Sequence, residues 1–130
     1  MNAPSKDIAD MLEAESALGF ITGINMFQNF EPSKPDNCVT IFDTYGRATG
    51  LTLGVELQDK PSIQIRVRAQ DSEVAWTMID SIRQLLDGRS NETWGGCFYM
   101  LIYCASGPGL LDHDENSRAR YIVNFNLQRR

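Results

Sequence analysis

The sequence predicts an α+β fold, a single layer of mostly antiparallel sheet with about five strands packed by two helices. Three observations carry that reading. The stretch "PSIQIRVRAQ" alternates apolar and polar side chains strictly, the mark of a half-buried strand. The stretch directly behind it, "DSEVAWTMIDSIRQLLDG", switches to helical spacing between clear start and stop signals. Two further strand-like runs, divided by a Gly-Pro-Gly turn signal, fill the C-terminal third. The 130 residues suit one domain, 1–130. A hydrophobic share of 42% against 22% charged residues excludes a wholly disordered chain and supports an ordinary core.

The elements follow in order. In "APSKDIADMLEAESAL", Pro4 and Ser5 supply a helix start, with Ser5 as the expected N-cap. Ile8, Met11, Leu12, Ala14 and Leu18 fall at helical spacing, and Gly19 can end the helix. Residues Phe20–Phe30 are rich in aromatic and β-branched side chains and read as a strand. After a loop with two prolines, Cys38–Tyr45 is a second strand with Val39 and Ile41 on one face. Gly46–Lys60 is too long and irregular for a hairpin turn, and loops beyond about a dozen residues are usually functional or mobile.

In the alternating strand, Ile63, Ile65, Val67 and Ala69 face one way, while Gln64, Arg66, Arg68 and Gln70 face the other. The helix that follows is capped by Asp71 or Ser72, buries Ala75, Met78, Ile79, Ile82, Leu85 and Leu86, and stops at Gly88. Gly96–Ser106 is a nearly continuous apolar run, which predicts a central strand covered on both sides. "GPGLLDHDENS" reads as a loop, and "RARYIVNFNLQ" as the last strand.

Charge and cysteine usage exclude several function classes. The net charge is −5, with nine acids against four bases in residues 1–60 and eight of each in residues 61–130. A dedicated nucleic-acid binder needs a basic footprint, which is missing. Cys38, Cys97 and Cys104 are an odd count with no C-x-x-C pair, which speaks for buried thiols in a reducing compartment rather than a disulfide framework or a zinc site. No apolar run approaches the roughly 18 residues of a membrane span. Lys6 and Asp7 stand where the apolar core of a secretory leader would begin, so a cytosol-like compartment is expected.

The run Asp112, His113, Asp114, Glu115, Asn116 looks at first like a set of metal ligands. His113 is the only histidine, however, so neither a His–His pair nor a Cys–His–Asp set can be assembled around it. The spacing lacks a calcium-loop pattern, no G-x-S-x-G elbow exists, and "GRATG" lacks the Lys-Ser/Thr ending of a phosphate loop. No catalytic residue, metal site or cofactor is predicted, and the run reads as a polar loop. Gln64, Arg66 and Arg68 form either a solvated outer face or a face that pairs with acids on a neighbouring subunit. Trp76 and Trp94 are expected to be packing residues.

In joint order, the N-terminal helix, "VTIFDTYG" before a glycine-containing loop, "PSIQIRVRAQDSEVAWTMIDSIRQLL" and "DENSRARYIVNFNLQ" resemble the tail terminator (tail completion, or minor capsid) proteins of long-tailed bacteriophages. Two departures stand out: Ala69-Gln70 and Ser117 occupy positions where that family often has glycine. The resemblance implies a tail-terminator-like fold and a structural, non-enzymatic role. Such a protein would form a hexameric ring on the end of the tail tube, stop its polymerisation and meet the head–tail connector or stopper protein. Its partners would be itself, the tube protein and that connector, with genomic DNA only in transit. It would be made in the host bacterial cytoplasm and end in the virion at the head–tail interface.

The same resemblance makes Arg47, Gln64, Arg66, Arg68, Asp112, Asp114, Glu115, Arg118 and Arg120 candidates for contact with a neighbouring subunit or the tube. It makes Asp7, Asp10, Glu13 and Glu15 candidates for an acidic bore that repels DNA. The Gly46–Lys60 loop would order on assembly. Another head–tail connector or stopper protein, or a small cytosolic α+β metal-binding enzyme, is the alternative.

Overall fold

A computed structural model describes residues 1–47 and 59–130. The side chain of Arg47 and most of the segment expected to be a mobile loop lie outside the described residues. Helix α1 is Pro4–Ala14, followed by a 3₁₀ turn at Ser16–Leu18. The strands are β1 (Met26–Gln28), β2 (Cys38–Arg47) and β3 (Lys60–Ala69), then β4 (Glu92–Trp94), β5 (Cys97–His113) and β6 (Ala119–Arg129). Helix α2 is Ser72–Leu86, between β3 and β4. The fold is α+β, as the sequence predicts, with six described strands rather than about five.

The strands form one sheet in the order β1-β2-β3-β6-β5-β4. Only the β1–β2 pair is parallel. The predicted alternation of β3 decides the layering. Ile63, Ile65 and Val67 stand across from Phe125, Val123 and Tyr121 of β6, and Ile65 and Val67 from Ile41 and Val39 of β2. That face joins Ile8, Met11 and Leu12 of α1 and Ala75, Ile79, Ile82 and Leu86 of α2 in one buried core. Burying about ten such large side chains, at roughly 1.5–3 kcal/mol each, is the main force holding helices to sheet. The opposite face carries Thr40, Phe42, Gln64, Arg66, Arg68, Arg120 and Asn124, and among the described residues no helix covers it.

Several expectations are corrected. Ser5 does not cap α1: the cap position is Ala3, with no side-chain bond, and Ser5 sits buried inside the first turn. There its N–H and Oγ donate to Asp43 of β2 at 2.9 and 2.7 Å, so the hydroxyl pins the helix to the sheet instead. Phe20–Phe30 is a strand only at Met26–Gln28. Asn25 folds the rest into turns, its Oδ1 accepting from Ile21 N at 2.7 Å and its Nδ2 donating to Gly19 O at 3.1 Å.

The apolar run from Gly96 is not a central strand. β5 lies beside the three-residue strand β4, near the sheet edge, and it continues through the predicted Gly-Pro-Gly loop to His113. Four register shifts let it bend while still pairing with β6. Gly46 marks another irregularity, where the β2–β3 register shifts. A Cβ there would lie 2.7 Å from Pro61 Cα, a close approach that only glycine accepts.

Candidate interaction surface

The helix-free face divides into an amide ladder and an arginine cluster. In the ladder, Ser62 donates to Asn126 at 2.7 Å, Gln64 to Asn124 at 3.2 Å, and Asn124 to Ser106 at 2.9 Å. Asn126 reaches Tyr103 at 3.4 Å. The cluster begins where Arg68 and Arg120 stand directly opposite each other across β3 and β6. Like charges in that register repel. The segment between β1 and β2 resolves the conflict by laying Glu31 over both, at 3.1 Å from Arg68 and 3.4 Å from Arg120.

That segment is tied down along its length. Asn29 exchanges hydrogen bonds with Asp43: its Nδ2 donates to Asp43 Oδ2 and its Oδ1 accepts from Asp43 N, both at 2.8 Å. Arg68 donates to Pro35 O at 2.7 Å, and Arg118 to Ser33 O at 2.7 Å and Asp36 at 3.1 Å. Arg68 and Arg118 are thus buried structural cations, and both carry partners within their own subunit.

The acidic run that resembled a metal site turns out to be a hairpin. Asp114 Oδ1 accepts the N–H groups of Asn116 and Arg118 at 3.0 and 2.9 Å, and Oδ2 accepts Arg118 Nε at 2.8 Å. Burial pushes the Asp114 carboxyl up, but these bonds outweigh it and hold it below the usual range. Asp112 accepts Arg120 through two bonds of 2.6 and 2.5 Å, which lowers its carboxyl and raises the guanidinium. Asp112 and Asp114 are each committed to an arginine, and no group of three metal-ligating side chains occurs among the described residues. Glu115 and His113 are exposed at the turn.

Ser117, in the family's glycine position, has a φ of +61°, the left-handed region that disfavours a β-carbon. Ala69 and Gln70 show no such angle. Cys38 and Cys97 are buried, Cys104 is half-buried, and all three are free thiols. Burial raises the thiol pKa of Cys38 and Cys104, which disfavours the thiolate. Trp94 packs as expected, its Nε1 donating to Glu92 at 3.0 Å. Trp76 is 41% exposed and packs edge-to-face on Tyr121, with ring centroids 5.8 Å apart.

The four acids expected along a bore do not stand together at the surface. Asp7 is fully buried, accepting Tyr99 Oη at 2.5 Å and Asn2 Nδ2 at 3.2 Å. Arg129 completes this interior network, 3.6 Å from Asp7 and bonded to Asp59 at 2.9 Å and Asn2 O at 2.9 Å. Burial, with Asp7 alongside, pushes the Tyr99 phenol far above its ordinary value, so it stays protonated. Asp7 is therefore a core residue, and it cannot face DNA from the folded subunit. Asp10 is half-buried against Lys6, while Glu13 and Glu15 are exposed.

Glu31, Asp36, Phe42, Tyr99 and Arg129 were not singled out from sequence. Their partners lie tens of residues away, and no local spacing announces such pairs.

The described face is thus a polar, arginine-bearing sheet surface. The sequence matches the family described as bacteriophage tail terminator protein over residues 5–130. The chain belongs to that family. It is a structural phage protein. Its fold is similar to a chain of a solved structure described as "Virion of native gene transfer agent (GTA) particle", with a TM-score of 0.70 and 11% identity over 98% of this chain and 94% of that one. A second solved chain gives a TM-score of 0.59 at 10% identity, covering 98% of this chain and 91% of that one. At such identities the likeness is one of fold alone. No curated protein matches significantly. No described helix is long and apolar enough to cross a membrane.

Proposed function

We propose that this chain is the repeating subunit of a ring that caps the tail tube, ends its polymerisation and forms part of the head–tail joint, with the genome passing through the ring. The observation that carries this reading is the terminator family match from Ser5 to the last residue. The virion-particle fold match supports assembly with other particle proteins. A small subunit gains a large annular surface by symmetric repetition, since head-to-tail contacts that close give a ring rather than a filament.

The contacting surface would draw on Gln64, Arg66, Arg120, Asp112 and Glu115, which keep part of their side chains at the surface. Arg68, Arg118 and Asp114 would act behind them as supports, since their charges are already matched inside the subunit. The Gly46–Lys60 segment would contribute on assembly.

The reading is tested in the phage that carries the gene. Inactivating it should yield tubes of uncontrolled length that fail to join heads, scored by electron microscopy of lysates. Tails of normal, uniform length joined to full heads would contradict it.

A further inference from the structure

Two features of the subunit are each incomplete, and each supplies what the other lacks. The first is Arg66. Its neighbours in the cluster have close partners, Arg68 at 3.1 Å from Glu31 and 2.7 Å from Pro35 O, Arg120 at 2.6 and 2.5 Å from Asp112. Arg66 reaches only Glu31 at 3.5 Å and Gln64 at 3.4 Å. Charge-assisted bonds of this kind normally run to about 2.7–2.9 Å.

Among the described residues its Nε is enclosed without an acceptor, as is Oγ1 of Thr40 directly across on β2. The guanidinium sits 4.8 Å from the centre of the Phe42 ring, and 24% of the side chain is exposed. Glu31 is shared among three arginines, so the cation left under-matched is Arg66. A planar guanidinium steadied by a ring in this way suits a carboxylate from outside the subunit.

The second feature is the C-terminal end of α1. The last turn of a helix carries a partial negative charge from its free carbonyls and favours a cation. Here it has no basic residue in the last turn, and it bears Glu13 and, at the cap position, Glu15. Glu13 holds Thr22 N at 3.0 Å, whereas Glu15 is exposed. The helix end and the two carboxylates repel one another, with no positive charge supplied by that turn.

These features belong to opposite faces of the sheet, α1 to the apolar face and Arg66 to the helix-free one, so they cannot meet within one subunit. A head-to-tail contact joins two different patches of identical copies. We propose that Arg66 takes a carboxylate from the C-terminal end of α1 of a second copy, Glu15 foremost. The inference rests on the ring reading and names one of its contacts. It also moves the exposed α1 acids from the DNA path into the seam between subunits.

The test uses purified chain and cognate tube protein, with capping read from tube lengths. Arg66→Glu and Glu15→Arg should each weaken capping about tenfold or more, and the double variant should recover to within a few-fold, the mark of a direct pair. Because Arg66→Glu also faces Glu31, a second variant guards against misfolding. Arg66→Lys keeps the charge, and a zero-length carbodiimide should join the introduced amine to Glu15 across differently isotope-labelled copies in capped tubes.

Single variants that cap normally, a double variant that shows no recovery, or no such cross-link would overturn the contact. So would Glu15→Arg that caps normally but slows genome delivery, which would return the acids to the DNA path. A wild-type chain that does not cap overturns the ring reading, and this contact with it.

Discussion

Two arginines of this subunit, Arg129 and Arg66, meet their acids in opposite ways. Arg129 is 5% exposed and is surrounded by Asp59, Asp7, the Tyr99 hydroxyl and the Asn2 carbonyl. Its network ties the first residues to the last strand, and the hydrogen-bonding groups of Asp7, Tyr99 and Arg129 answer one another. Arg66 lies at the surface of the helix-free face, with long bonds and an enclosed nitrogen that has no acceptor among the described residues. The difference separates two uses of charge in a small assembling protein. Matched, buried charge fixes the fold of one copy, while under-matched charge at the surface is available to the next copy.

That contrast can be broken at its strong end first. Asp7→Ala leaves the buried Tyr99 hydroxyl without its acceptor and Arg129 with Asp59 as its remaining acid, and removing one partner of such a buried network costs about 3 kcal/mol. Denaturant unfolding should show that loss. A value near zero would mean the network is dispensable. Arg68→Ala, which strips Pro35 O of its donor and Glu31 of its closest arginine, should cost about 2 kcal/mol by the same assay. Arg66→Ala, at the surface, should change stability by less than about 1 kcal/mol while weakening capping. Equal losses for Arg66 and Arg68 would erase the distinction.

A gain is expected next. Ser117→Gly relieves a left-handed residue and should raise stability by roughly 1 kcal/mol, less the greater freedom of glycine in the unfolded chain.

The smallest effect at neutral pH is electrostatic. Asp112 is held below its ordinary 3.8 by Arg120, and Glu92 below its ordinary 4.5 by Arg89. A lowered folded pKa means the contribution is complete above the ordinary carboxylate range and is lost as pH falls through the lowered values. Stability should therefore be flat from neutrality down to about pH 5 and decline below it. Asp112→Asn should reduce that acid-side slope, and an unchanged slope would show that the Arg120 pair contributes nothing.

How much of this was legible in the sequence follows from the range of each interaction. β3 and α2 were read closely because alternation, helical spacing and the Asp71 cap are local signals, and the Asp71 side chain does accept Glu73 N at 3.0 Å. Phe20–Phe30 misled because its β-forming residues are outvoted by Gly23 and Asn25, which fold the chain into turns. β5 misled because bulges carry a strand through glycine and proline that otherwise signal a loop.

The surface was half legible. Arg66 and Arg120 emerged from pattern and resemblance as candidate contacts, and both lie on the helix-free face. Glu31, whose contacts separate the three arginines, is 35 residues from Arg66 and 89 from Arg120. Asp7 looked like one of four solvent-facing acids, because helical spacing does not reveal that a tyrosine 92 residues away reaches under it.

The central claim is that this chain closes on the end of the tail tube. The most direct measurement polymerises the cognate tube protein with and without saturating chain and images the tubes by electron microscopy. Added chain should halt elongation and leave an annular density at one end of each tube. Tubes that keep growing with bare ends would contradict it.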